Sequence, residues 1–341
     1  MGDLPRPFLP LQHGRRPQSS TGIARRGNIY FNYNLLSGCN YHRIVVPLVN
    51  MPADFDAKVP VLFFNRLGIE SHVIDQFQAQ GARVVIDLDD DIALPEGHVL
   101  HEMFKRNRCS ERLIENIRRA DIVTVTNSHL ASKVKQYHKN IVVVPNALPF
   151  DQGQFAETSP GLGRKIIYAG GFTHESDLRI IHDAVPRREL IIAGDTGTNG
   201  EDIASTTWRR IRETFDFAEF RPMLSVEEYM RHYDGRSIAF APLADTPFNR
   251  CKSNLKALEA GAKGLAFVAS RVYPYHNEVD KHVVLYASTN AEWRRLFMKL
   301  IADPTFRAEQ GRALAEHVRR HYHIDRANEL RRQVFESLCR V

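Results

Sequence analysis

Lys252, Lys256 and Glu259 are the side chains most suited to chemistry, and they share one segment with Asn249 and Ser253. That segment, Ala241 to Gly264, reads as the end of a strand, a polar loop and a helix that stops at Gly264, with the apolar run Leu265–Ala269 after it. Ser253 or Asn249 can cap the helix, whose first turn offers free N–H groups and the positive end of its dipole to an anion. Lys252 and Lys256 are four apart, so they share a helical face at that end and form a cradle suited to a diphosphate. Glu259, about two turns in, can accept hydrogen bonds from a ribose diol. The same spacing also fits a solvated amphipathic helix whose charges pair with one another.

Other candidates follow apolar runs. Gly170-Gly171 lets a backbone approach a phosphate closely, or simply makes a tight turn. The loop Ser37 to Arg43 holds Gly38, which permits close approach, and Arg43, which can bind an anionic acceptor or pair with a surface carboxylate. In Asp87-Leu-Asp-Asp-Asp91, carboxylates such as Asp89 and Asp90 can line a cleft, cap a helix, pair with arginines or bind a hard cation. His98 and His101 lie just beyond that loop, as cleft residues or surface histidines.

The chain of 341 residues, 43% apolar and 25% charged, is long enough for two α/β domains and has ordinary globular composition. In the first series the strands are Asn28–Tyr33, Pro60–Phe64, Ala82–Asp87, Asp121–Thr126 and Asn140–Val144, with helices at His42–Asn50, Ile69–Gln80, Ser110–Arg119 and Ser128–Tyr137. In the second the strands are Lys165–Ala169, Glu189–Ala193, Phe217–Phe220, Ser237–Ala241, Leu265–Ala269 and His282–Tyr286. Its helices are Ser176–Val185, Ser225–Tyr233, Ser253–Ala262, Ala291–Ile301 and Thr305–Tyr322. Two such halves imply a cleft, with ligands beyond the carboxyl ends of the strands. The expected organisation is a flexible basic arm over 1–26, a first domain over 27–145, a linker over 146–163, a second domain over 164–324 and a terminal helix over 325–341.

Net charge is +6, and Arg6, Arg15, Arg16, Arg25 and Arg26 in the arm face only Asp3, which permits electrostatic contact with a polyanion. No apolar run is long enough for a membrane span and no signal-peptide core is present, so the expectation is a cytoplasmic protein without a transmembrane segment. Cys39, Cys109, Cys251 and Cys339 are far apart, which suits free thiols rather than a disulfide framework or zinc site.

Phe248, Asn249, Lys252, Ser253, Lys256 and Glu259 resemble the motif Phe-Asn-x-x-Lys-Ser-x-x-Lys-x-x-Glu of retaining nucleotide-sugar glycosyltransferases of the B-type fold, in the bacterial and phage family 4-like branch. The similarity runs from about Ile29 to Ala327 and includes Val142–Ala147, Ala169–Asp177 and Ser270–Tyr275. The resemblance implies two Rossmann-like domains facing a cleft (GT-B), with Ala327–Leu338 crossing back to the first domain. It implies a UDP- or GDP-linked sugar as donor, retention of configuration, no required cofactor and no metal. Lys252, Lys256 and Glu259 are then the catalytic candidates. Gly170, Gly171, Asn249 and Ser253 join them in donor binding, and Gly38, Arg43, Asp89, Asp90 and His101 line the acceptor side. Three positions depart from the pattern: Cys251 replaces the first of two glutamates eight apart, and His174 and Asp177 stand near where relatives carry an arginine and a lysine. Lys252 and Lys256 are therefore expected to supply most of the diphosphate neutralisation. The acceptor stays open among glycan, lipid-linked and nucleic-acid hydroxyls. Two rival readings are a transferase acting on modified bases of phage DNA and a non-catalytic module that binds a sugar nucleotide or polymer.

Overall fold

The computed structural model describes residues 20–158 and 163–340. Its first sheet has the order β1(Thr21–Arg26), β2(Ile29–Asn34), β3(Val61–Asn65), β4(Arg83–Leu88), β5(Ile122–Val125) and β6(Ile141–Val143). From β2 to β6 the strands are parallel, and the apolar runs of the central strands β3, β4 and β5 are buried on both faces, whereas Val143 of β6 is exposed. One face packs on the helices Ser71–Ala79, Cys109–Arg119 and Ser128–Val134. The other packs on a helical segment over 38–49 and on the last helix, Ile324–Ser337.

The second sheet has the parallel order β12(Leu285–Ala287), β11(Ala266–Ser270), β10(Ile238–Ala241), β7(Ile166–Ala169), β8(Leu190–Asp195), β9(Glu219–Pro222). Chain direction across the sheet reverses between β7 and β10, and the loops leaving these two adjacent strands diverge to opposite faces. A doubly wound sheet opens its ligand crevice at such a switch point. Gly170-Gly171 follows β7, and the loop carrying Lys252 follows β10.

Both halves contribute to one apolar cluster, in which Tyr41, Val45 and Val144 meet Ala169, Leu258 and Phe267. The chain also returns to the first half. Leu148 bonds through its backbone to Tyr322 and Ile324, and Asn328 donates to the Pro47 carbonyl at 2.9 Å. Phe335 packs edge-on against Phe63, with ring centroids 5.4 Å apart. Among the described residues, no helix is long and apolar enough to cross a membrane.

The structure corrects several expected elements. The end of the anticipated arm is a strand: β1 pairs antiparallel with β2 through the turn Gly27-Asn28, with Gly27 at φ 54°. Arg26 is no free charge, because its guanidinium donates to the carbonyls of Phe55, Met51 and Pro52. The rest of that arm, 1–19, lies outside the described residues. The helices His101–Arg106 and Ile203–Thr214 were not expected, whereas the expected helix 176–185 is regular only over Glu175–Arg179 and continues as i to i+3 turns. Ser225–Tyr233 holds only a short 3-10 turn, Tyr229–His232.

Gly194 ends the close packing of β8 against the β7 loop. Its φ is 108°, and a Cβ there would strike the Gly170 carbonyl. Gly194→Ala should therefore cost about 2–4 kcal/mol through backbone strain and overlap. Urea unfolding checks this, and an unchanged midpoint would show that the two loops do not depend on this contact.

Candidate functional site

A cavity of about 650 Å³ lies between the two sheets. From the first half it is lined by Gly38, Cys39, His42, Asp89 and Asp90, and from the second by Gly170, Gly171, His174, Lys252, Ser253, Lys256 and Glu259. Apolar and aromatic side chains complete it, chiefly Leu224, Val226, Tyr229 and Tyr275. A cleft of this size with a few convergent polar groups has the character of a small-ligand site.

The loop after β10 positions the lysines differently from the expected single helical face. Lys252 follows a 3-10 turn, Asn249–Cys251, in extended conformation (φ −70°, ψ 163°), and the helix begins only at Leu255. Asn254, rather than Ser253 or Asn249, holds the N-cap position, without a capping bond from its side chain. Its side chain donates to Asp280 at 2.7 Å. The two lysines nevertheless reach the same cavity, one from the loop and one from the first helical turn.

Each lysine has a defined partner. Lys252 Nζ lies 3.0 Å from Asp90 Oδ2 of the other half and 4.6 Å from the centre of the Phe248 ring. Burial alone would lower its pKa, but the Asp90 charge and hydrogen bond outweigh this and raise it. Lys256 donates to the Ala169 carbonyl at the end of β7 and sits over the Tyr168 ring. Burial lowers its pKa, only partly offset by Glu259. Glu259 is buried, which raises its pKa, and it accepts from Tyr233 Oη at 2.9 Å. Its other oxygen lies 4.0 Å from His42 Nε2.

The loop itself is held by side chains. Asp177 accepts from the Ala244 backbone N–H at 2.9 Å and from Asn249 Nδ2 at 3.1 Å. Asn127 donates to the carbonyls of Cys251 and Lys252, each at 2.9 Å, and Asn146 to Ser253 Oγ at 2.7 Å. Asn249 is thus a buried strut of the loop, outside the cavity lining. Cys251 is turned into the core of the first half beside Asn127, and burial, then Asp91, pushes its thiol up to about 12. A glutamate there would place a carboxylate in an apolar cluster.

Other candidates fall differently. Arg43, although counted among the lining residues, is fully buried. It grips Asp87 through two bonds of 2.8 and 2.7 Å and also donates to the Val144 carbonyl and Asn146 Oδ1. Its guanidinium is occupied by structural partners rather than by an acceptor. Asp87 is likewise committed, with Thr124 Oγ1 donating to it at 2.6 Å. Asp91 is paired with Lys133. Asp89 and Asp90 do line the cavity, whereas His101 lies outside the lining and places Nδ1 2.9 Å from the Leu94 carbonyl. Among the described residues, no group of three or more His, Cys, Asp or Glu is arranged to hold a metal ion.

Sequence reading missed His42, Asn127 and Asn146. The two asparagines had a usable signal, since each closely follows the carboxyl end of a parallel strand, β5 or β6. His42 had none, because its role depends on a π-helical turn, Tyr41–Val45, that carries it into the cleft.

No protein-family model matches the chain, and no curated protein matches it by sequence. Solved structures match the fold at low identity. Sucrose-phosphate synthase from Thermosynechococcus elongatus is similar with a TM-score of 0.60 at 14% identity, over 82% of this chain and 74% of that one. Anabaena Alr3699/HepE in complex with UDP-glucose gives 0.59 at 14% identity, over 82% and 79%. An alpha-glucosyltransferase in complex with UDP-glucose and DNA containing an abasic site gives 0.59 at 11% identity, over 81% and 80%. The chain therefore has the GT-B fold, with two Rossmann-like halves facing a cleft.

Burial, then the charges of Arg43 and Lys256, lowers the His42 pKa from 6.5 to about 4. His232 is lowered to a similar value, first by burial and then by Arg221. Unfolded histidines bind protons near pH 6.5 that these native ones refuse, so stability is intact above that pH and falls as pH drops toward 4. Denaturant unfolding at pH 7 and pH 5 should show this loss, and His42→Gln should reduce it. An equal loss in the variant would exclude His42 as a source.

Proposed function

We propose that the chain transfers a glycosyl group from a UDP- or GDP-linked sugar to an acceptor hydroxyl, with retention of configuration. The observation that carries this reading is the convergence of Lys252, Lys256 and Glu259 with Gly170-Gly171 in the switch-point crevice. The glycines admit a diphosphate to the backbone, and the two ammonium groups meet its charge. As the sugar leaves, negative charge grows on the diphosphate, so a lysine fixed beside it stabilises the transition state more than the ground state. Glu259, held by Tyr233, accepts from the ribose hydroxyls. In this reading two cations do the work of a divalent metal, and no cofactor takes part.

Asp89 and Asp90 line the cleft from the first half, and if that half receives the acceptor, carboxylates there suit a neutral polyhydroxyl compound better than a polyphosphate backbone. This favours a glycan-type acceptor over DNA. The fold neighbours include proteins bound to UDP-glucose, which is consistent with the proposed donor class.

UDP or GDP should raise the melting temperature of the wild-type protein in the presence of a chelator. Calorimetry should show roughly 10- to 100-fold weaker binding in the Lys252→Ala/Lys256→Ala double variant, the scale of losing charge-assisted hydrogen bonds. Unchanged affinity in that variant would remove the diphosphate from this site.

Glu259→Gln should keep the fold but weaken UDP binding about tenfold, and the loss should shrink with 2′-deoxy-UDP. Calorimetry on both proteins with both nucleotides forms a mutant cycle. Coupling near zero would place the ribose elsewhere.

A further inference from the structure

The ion pair between Lys252 and Asp90 joins the two halves across the cleft, and it uses the same ammonium group that the proposed reaction assigns to the diphosphate. The four carboxylates of the acidic loop are otherwise provided for differently. Asp87 is locked to Arg43, Asp91 is paired with Lys133, and Asp89 accepts from Asn65 Nδ2 at 3.3 Å and has Arg66 as its charged neighbour. Asp90 alone is paired with a residue of the second half, and both members of that pair line the cavity.

We propose that Asp90 and the donor diphosphate compete for Lys252, so that donor entry hands the lysine from carboxylate to phosphate and releases Asp90 to position the acceptor hydroxyl. This rests on the assignment of the cleft to a nucleoside diphosphate sugar. The exchange needs no separation of the halves, because Asn127 and Asn146 hold the loop backbone and Ser253 by bonds that do not involve the Lys252 ammonium. Only a flexible four-carbon side chain has to move. Arg66 also acts electrostatically on Asp90 and favours its charged form. A released carboxylate beside Gly38 and Cys39 is then a hydrogen-bond acceptor for an incoming hydroxyl. The order of events follows: donor first, acceptor second.

The test is calorimetric titration of UDP, and in parallel GDP, into the full-length wild-type protein, Asp90→Asn and Asp89→Asn. Asp90→Asn removes the competitor and should tighten nucleotide binding roughly tenfold, while Asp89→Asn, which removes an equal charge from the same cleft, should change it less than about twofold. A mutant cycle of Lys252→Ala and Asp90→Asn on thermal stability without nucleotide reads the pair independently and should show favourable coupling. If the wild-type protein binds neither nucleotide, the proposed donor falls and the exchange with it. If it binds one and Asp90→Asn is unchanged or weaker, or Asp89→Asn gains as much, the exchange alone is overturned. Zero coupling in the cycle overturns it as well.

Discussion

The loop between β10 and the helix Leu255–Ala262 is bonded to itself only through turns between Ala244 and Lys252, and the site depends on how its other polar groups are satisfied. Asp177 holds its beginning, Asn127 and Asn146 hold it around Lys252 and Ser253, and Asp280 holds Asn254 at the helix entry. These anchors come from four places in the chain and from both halves. Buried backbone groups left without such partners carry a large desolvation cost, so the loop conformation is set by the folded context. Lys252 takes its place from that frame, and Lys256 and Glu259 follow on the helix.

The same frame accounts for the departures from the resembling motif. Asp177 stands near where a cation was expected, and it serves the loop instead by accepting from Ala244 and Asn249. Cys251 replaces a glutamate, and its side chain faces the core of the first half, where a small apolar group fits. Positive charge at the cleft floor is left to Lys252 and Lys256. Lys256 is partly buried beside the Tyr168 ring and Glu259, so its field is screened less than at an open surface. Electrostatic stabilisation of a leaving diphosphate gains most in such surroundings.

Much of the architecture was legible from apolar runs, because buried parallel strands are nearly continuous apolar segments and their spacing marks two α/β series. β1 was not legible: Thr21–Arg26 holds one buried residue, Ala24, beside two arginines and a glycine. Lys252, Lys256, Glu259 and the paired glycines were legible as types that suit a diphosphate and ribose. Their geometry was not, since the 3-10 turn that removes Lys252 from the helical face is imposed by partners distant in sequence. Arg43 shows the converse limit. Its place in the loop after β2 suited either a cation for an anionic acceptor or a partner for a surface carboxylate, but Asp87 and Asn146, far along the chain, claim it in the core.

The central claim is that a nucleoside diphosphate lies in the switch-point crevice between the β7 and β10 loops. A crystal structure of the complex with UDP tests it most directly. The account predicts the diphosphate against Gly170-Gly171 within hydrogen-bond distance of Lys252 and Lys256, and the ribose hydroxyls on Glu259. A nucleotide bound elsewhere, or in this cleft with its phosphates turned away from both lysines, would contradict it.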